Sequence, residues 1–172
     1  PCKRGASLKL QNKCPNYIAS QYYGESDKGK IINGYRNENL ESQTFKDESF
    51  DLVITQDVME HIFNPQSAFR EKARTLKPGG AHIFTVPLIN KERTTECWAK
   101  LDDNNNIIFL KEEEYHGNPI NPKGSPVTFH YGYDIVDLIY KSSGMVTQIF
   151  TIDNIDLGIR AEYIDVLISR KI

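Results

Sequence analysis

The segment from Phe50 to Pro87 constrains this chain more than any other. Phe50-Asp51-Leu52-Val53-Ile54-Thr55 is a β-branched, largely apolar run, the pattern of a parallel strand buried on both faces. Asn64-Pro65 then offers a helix cap followed by proline at the first helical position. Ala68, Phe69, Ala73 and Leu76 recur at helical spacing, and Lys77-Pro78-Gly79-Gly80 is a stop. His82 to Val86 is a second buried strand, closed by Pro87. A strand, a helix and a strand in this order predict a parallel pair joined by a right-handed crossover.

The same switching of period runs through the rest of the chain and places it in the α/β class. Ser7 to Lys13 reads as the end of a helix, Tyr17 to Ser20 as a short buried strand, and Ile31-Ile32 as another. Leu88 to Tyr131 is polar, rich in Asn and Pro, and too long for a structureless loop, so it is expected to form an excursion over the end of the sheet. Trp98, Phe109 and Phe129 read as packing residues of that excursion. Tyr133 to Lys141 predicts an amphipathic helix stopped at Gly144. Met145 to Ile152 and Tyr163 to Ser169 predict an antiparallel pair at the sheet edge.

The 172 residues are the length of one domain, long enough for a core without disulfides. A net charge of -2 argues against a general grip on nucleic acid, and no apolar run is long enough to span a membrane. Cys2, Cys14 and Cys97 are widely spaced, which excludes a CxxC zinc ribbon and fits a reducing, cytoplasmic setting. The chain starts at Pro1, as expected of a processed chain or of part of a longer one.

In open α/β sheets, ligands bind beyond the carboxyl ends of the strands. Three such ends carry polar residues: Gln21 and Tyr22, then Glu38-Asn39-Leu40, then Gln56-Asp57-Val58-Met59-Glu60-His61. The stretch SFDLVITQDVMEHIFNPQSAFREKARTLKPGGAHIFTVP, with Asn39-Leu40 and Phe45 upstream and Tyr115 to Pro119 downstream, resembles the class I S-adenosylmethionine-dependent methyltransferases. That resemblance implies a Rossmann-like three-layer sandwich. Its sheet would be mostly parallel with an antiparallel edge strand at the C-terminus, in a single domain over residues 1–172 carrying a substrate cap at about 88–131.

The resemblance also implies S-adenosyl-L-methionine as the cofactor, held by Gly5, Gln21, Tyr22, Glu38, Asn39, Leu40, Gln56, Asp57 and Val58. Asn39 would bond the adenine amine and Leu40 would pack on the ring. Two features depart from the family pattern. The first strand and glycine-rich turn are missing, with Arg4-Gly5-Ala6-Ser7 the one candidate remnant. Gln21 stands where the family places an Asp or Glu for the ribose hydroxyls, and an amide accepts more weakly than a carboxylate.

His61 and His116 are the candidate catalytic bases, because an ordinary histidine titrates near neutrality. Tyr115 and His116 are the candidate substrate contacts. Glu60, His61 and His116 also carry the ligand types of a Mg, Mn or Zn site, although the reading adopted assigns no metal. The expected activity is methyl transfer to an O, N or C acceptor, a small molecule or a glycan- or lipid-linked intermediate. The alternative is a non-catalytic Rossmann-like module that binds a partner. The missing central strand would leave a sheet edge able to pair between chains, giving a homo-oligomer.

Overall fold

The computed structural model describes residues 5–118 and 121–172. Pro1, Cys2, Arg4 and Pro119, named above, lie outside them. Helix α1 (Gly5–Lys13) leads to a small sheet of β1 (Ser20–Gln21), β2 (Ile31–Ile32) and β3 (Tyr35–Asn37). Strand β1 runs parallel to β3 with Gln21 opposite Asn37, and β2 runs antiparallel to β3. The main unit follows as β4 (Phe50–Gln56), a single helical turn at Met59–His61, α2 (Pro65–Thr75) and β5 (Leu76–Thr85). The excursion contributes β6 (Glu96–Cys97), β7 (Ala99–Leu101), β8 (Ile107–Phe109), β9 (Tyr115–His116), β10 (Ser125–Pro126) and β11 (Phe129–His130). Helix α3 (Ile135–Ser143), β12 (Val146–Thr151), a helical turn at Ile155–Leu157 and β13 (Asp165–Arg170) complete the order.

The strand–helix–strand unit forms as its residues demand. Asn64 caps α2 by accepting a hydrogen bond from the Ser67 N–H at 3.0 Å, and Pro65 sits where no amide is needed. Ala68, Phe69 and Leu76 are fully buried, and they pack with Phe84, Leu167, Ile135 and Ile139 between the helices and one face of the sheet. Gly144, at φ 72°, ends α3 in the left-handed conformation that favours glycine.

The observed sheet differs from a mostly parallel sandwich. Four strands lie in the order β12-β13-β5-β4, and only β4 and β5 are parallel. Strand β13 lies antiparallel to both β12 and β5. The connection from β12 to β13 carries only the short turn Ile155–Leu157 and no helix that crosses the sheet, in keeping with antiparallel neighbours. Strands β1 and β3 form their own small sheet and do not extend the larger one.

The central strand also differs from the reading of a run buried on both faces. Phe50 and Val53 pack on the core, but Leu52 and Ile54 are 45% and 48% exposed. Helices α2 and α3 cover one face, and Leu52, Ile54, Val146 and Phe150 stand on the other. Ile18, expected in a buried strand, is 48% exposed. The Lys77-Pro78-Gly79-Gly80 stop lies inside β5, at an irregularity between the pairs Phe50↔Leu76 and Leu52↔Ala81. Gly80 is required there, since a Cβ would meet the Lys77 carbonyl at 2.9 Å and the Asp51 carbonyl at 3.1 Å.

The excursion is built of three small antiparallel pairs: β6 with β11, β7 with β8, and β9 with β10. No described helix is long and apolar enough to cross a membrane.

The core holds one unexpected cation. Lys72 of α2 is fully buried, its amine has no hydrogen-bond partner, and burial pulls its pKa down to about 7. An unfolded lysine titrates near 10.4, so between about pH 7 and 10 the unfolded chain binds the extra proton and stability rises with pH. Below pH 7 the fold carries the full cost of the buried charge. Lys72→Met is therefore expected to gain about 1–4 kcal/mol near pH 6 and to lose that advantage toward pH 10, read as urea midpoints.

Candidate active site

Strand β4 ends on a sharp local turn. Asp57 has φ 49°, a left-handed conformation that Asp tolerates better than most side chains. Its N–H donates to the Thr85 carbonyl at 3.1 Å, and its Oδ1 accepts from the Thr85 hydroxyl at 2.8 Å. The end of β5 thus fixes the turn after β4, which runs on into Met59–His61. The excursion clamps that turn from the other side. Thr128 donates its N–H to the Glu60 carbonyl at 2.7 Å, and its hydroxyl lies 2.9 Å from that carbonyl and 2.8 Å from the Ile62 carbonyl. The Tyr131 hydroxyl donates to the Met59 carbonyl at 3.2 Å.

These contacts bring Glu60, His61 and His116 together. Glu60 is 2% exposed and neither carboxyl oxygen has a hydrogen-bond partner. Burial pushes its pKa up to about 7, and the nearby Asp57 charge acts in the same direction. Glu60 Oε1 lies 3.8 Å from His61 Nε2 and 3.8 Å from His116 Nδ1. The two imidazoles meet edge to face, 5.0 Å between centres.

His61 Nδ1 lies 2.8 Å from the Pro126 carbonyl. A carbonyl only accepts, so Nδ1 carries the proton and Nε2 presents its lone pair toward Glu60. Burial lowers the His61 pKa below its ordinary value and favours this neutral form. Behind His116, Glu114 Oε1 stands 3.5 Å from Nε2, while Glu114 Oε2 meets His130 Nε2 at 2.8 Å. His130 is stacked on Trp98 at 3.8 Å. Tyr115, on the same strand as His116, is 44% exposed with its ring 5.5 Å from Phe109.

A second cluster forms where β1 and β3 end. Glu25 Oε1 accepts from the Tyr22 hydroxyl at 3.0 Å and from the Asn39 amide at 2.6 Å, and its other oxygen pairs with Lys28 at 3.0 Å. Desolvation and the Glu25 carboxylate together push the Tyr22 hydroxyl up to about 12. Asn39 Oδ1 accepts from the Glu41 N–H at 2.8 Å, and Leu40 packs against the core. Gln21 ends β1, its carbonyl accepting from the Glu38 N–H at 3.2 Å. Glu38 is buried, and both oxygens are engaged: Arg36 at 2.7 Å, the Thr44 hydroxyl at 2.6 Å and the Thr44 N–H at 2.8 Å. Its carboxylate therefore shapes the loop that carries Asn39.

The structure thus joins Tyr22 with Asn39, and Asp57 with Glu60, His61 and His116. Gln56 and Val58 flank Asp57, while Gly5 opens α1, ahead of both clusters. Glu25 and Glu114, the acidic hubs of the two clusters, were not singled out from the sequence. Each joins a near neighbour to one remote donor, Asn39 for Glu25 and His130 for Glu114, and the remote partner leaves no local motif.

Residues 14–84 match the family model of the methyltransferase domain. The sarcosine/dimethylglycine N-methyltransferase of Aphanothece halophytica is 29% identical over 82 residues, which are 48% of this chain and 28% of that protein. The chain thus spans under a third of that relative's length. An S-adenosylmethionine-dependent methyltransferase from Mesorhizobium loti superposes with a TM-score of 0.50 at 17% identity, over 82% of this chain and 72% of that one. A chain in the Haloferax volcanii complex of the Trm112 activator with a methyltransferase also gives 0.50, at 15% identity, over 83% and 64%. The match to the methyltransferase domain model takes in β1 to β4, α2 and most of β5, and leaves out the excursion.

The clamp on the turn after β4 predicts a measurable loss. Thr128→Val keeps the shape of the side chain and removes its donor to Glu60 and Ile62. The expected cost is about 1–3 kcal/mol in urea unfolding, because buried carbonyls lose a partner. An unchanged midpoint would show that the clamp rests on backbone contacts alone.

Proposed function

We propose that this chain carries the adenosine-binding and acceptor-facing parts of an S-adenosylmethionine-dependent methyltransferase. The observation that carries the reading is the collection of polar residues beyond the carboxyl ends of β1, β3 and β4, within the segment that matches the family. These residues fit the adenosine half of the cofactor. Asn39 keeps one N–H and one lone pair beyond its bonds to Glu25 and Glu41, enough to address an adenine edge. Leu40 supplies an apolar surface, and Gln21 and Tyr22 supply the polar groups for the ribose. Asp57, with Gln56 and Val58 on either side, lies beyond the carboxyl end of β4, the side on which open α/β sheets seat their ligands. Among the described residues, none supplies the glycine-rich turn that would receive the methionine end.

When bound, S-adenosylmethionine supplies a methyl group on a sulfonium, which an acceptor's lone pair displaces in line. The protein's share is to orient the two partners and to exclude water. His61 Nε2 is the lone pair this chain can offer to an acceptor proton, because Nδ1 is committed to Pro126. His116 and Tyr115 stand on the β9–β10 hairpin as the acceptor-side contacts. The acceptor is proposed to be a small molecule or a glycan- or lipid-linked intermediate, with an O, N or C nucleophile. The amine chemistry named for the Aphanothece halophytica relative supports a nitrogen acceptor within that range.

Calorimetric titration of S-adenosylmethionine and S-adenosylhomocysteine into the chain tests this reading. Saturable binding is expected, weakened about tenfold (~1.4 kcal/mol) by Asn39→Ala and by Asp57→Asn. A folded chain that binds neither compound would overturn the reading and leave the partner-binding module.

A further inference from the structure

The methyltransferase reading needs no metal, yet the acceptor-side cluster has the composition and spacing of one. We infer that Glu60, His61 and His116 form a binding site for a divalent first-row transition cation.

Three ligand atoms, one from each side chain, lie within 4.8 Å of one another, with the nearest carboxylate–imidazole pairs at 3.8 Å. Ligands held at ~2.1 Å from a tetrahedral cation stand about 3.4 Å apart, so the cluster closes onto an ion by small side-chain rotations. At 3.8 Å the same atoms are too far apart to bond one another, so the gap between them matches an intervening atom.

A second observation is independent of that spacing. Glu60 is buried with both oxygens unpartnered, and a buried polar group in that state is costly. Protonation would remove its charge but leave an O–H and a carbonyl still without partners. A cation satisfies the carboxylate directly. Folds that bury such a group normally give it something to bind.

The surroundings are those of metal-ligating histidines. A ligating imidazole usually donates its other N–H to a carbonyl or carboxylate, which fixes the tautomer. His61 does so to the Pro126 carbonyl at 2.8 Å, leaving Nε2 bare and aimed at the cluster. His116 turns Nε2 toward Glu114 at 3.5 Å and Nδ1 toward Glu60. Two imidazoles and one carboxylate favour zinc, manganese or iron over magnesium and calcium, which prefer all-oxygen shells. Three protein ligands leave a coordination position open. His116 is a third exposed, so solvent or an acceptor group reaches that position. With the cation in place, His61 and His116 act as ligands, and an acceptor oxygen or nitrogen bound at the open position would lose its proton more easily.

The inference stands on ligand geometry and not on methyl transfer, so the two fail separately. The test is titration of Zn²⁺, Mn²⁺ and Co²⁺ into the chelator-treated chain, purified without a polyhistidine tag and without S-adenosylmethionine. One saturable site is expected, with the visible absorption of Co²⁺ reporting four or five ligands. His116→Gln, on a surface hairpin, and His61→Ala are each expected to weaken binding by on the order of 100-fold or more. Glu114→Gln, behind His116, is expected to weaken it about tenfold. Thermal melts establish that each variant is folded. Absence of saturable binding would overturn the assignment and leave water as the occupant of the gap. Binding that persists undiminished in folded His116→Gln and His61→Ala would overturn it equally. A chain that binds the cation but neither sulfonium nor thioether cofactor would sink the proposed function alone.

Discussion

Parallel pairing of β4 with β5 obliges the chain to travel back along the sheet between the two strands, and α2 makes that return. Everything near the site follows from the arrangement. The two strands end side by side, so Thr85 can hold the left-handed Asp57 turn from the neighbouring strand. That turn sends the chain into Met59–His61, with Met59 anchored in the core beneath it. Burial of Ala68, Phe69 and Leu76 fixes the helix on the sheet, and the turn inherits its rigidity.

Arg74 extends the same constraint to the loop that follows β3. Its guanidinium meets both Glu71 oxygens at 2.7 Å and also reaches Asp47 and the Phe45 and Gln43 carbonyls. Such a fork holds its partners in one plane, which a lysine could not do. Glu71 in turn accepts from the Gln43 N–H at 2.7 Å. At the far end of the same loop, Glu38 binds Arg36 and Thr44. The segment from Glu38 to Asp47 is thereby tied to α2 on one side and to β3 on the other. Asn39 and Leu40 are held between these ties.

Much of this was legible in the sequence. The Asn64-Pro65 cap, the helical spacing of Ala68 and Phe69, the Gly144 stop and the final antiparallel pair are local signals, and each element formed where its signal lies. The exposure of Leu52 and Ile54 was not legible, because an apolar run says only that a strand could be buried. Which face is covered depends on where the helices pack. The small pairs of the excursion were also hidden, since strands of two or three residues carry no measurable period. Glu60 shows the same limit at the site. Its sequence position beside His61 is plain, but its burial depends on Thr128 and Tyr131, many residues away.

The sequence by itself determined the parallel strand–helix–strand unit, the polar residues at the strand ends and the match of residues 14–84 to the methyltransferase domain model. Those are properties of short stretches, set by side-chain period, caps and turn residues. Only the tertiary structure decided that His116 meets Glu60 and His61, and that Glu25 joins Tyr22 to Asn39. Such meetings depend on how the excursion folds back over the end of β4. A carboxylate and an imidazole separated by more than fifty residues become neighbours only through the packing of everything between them.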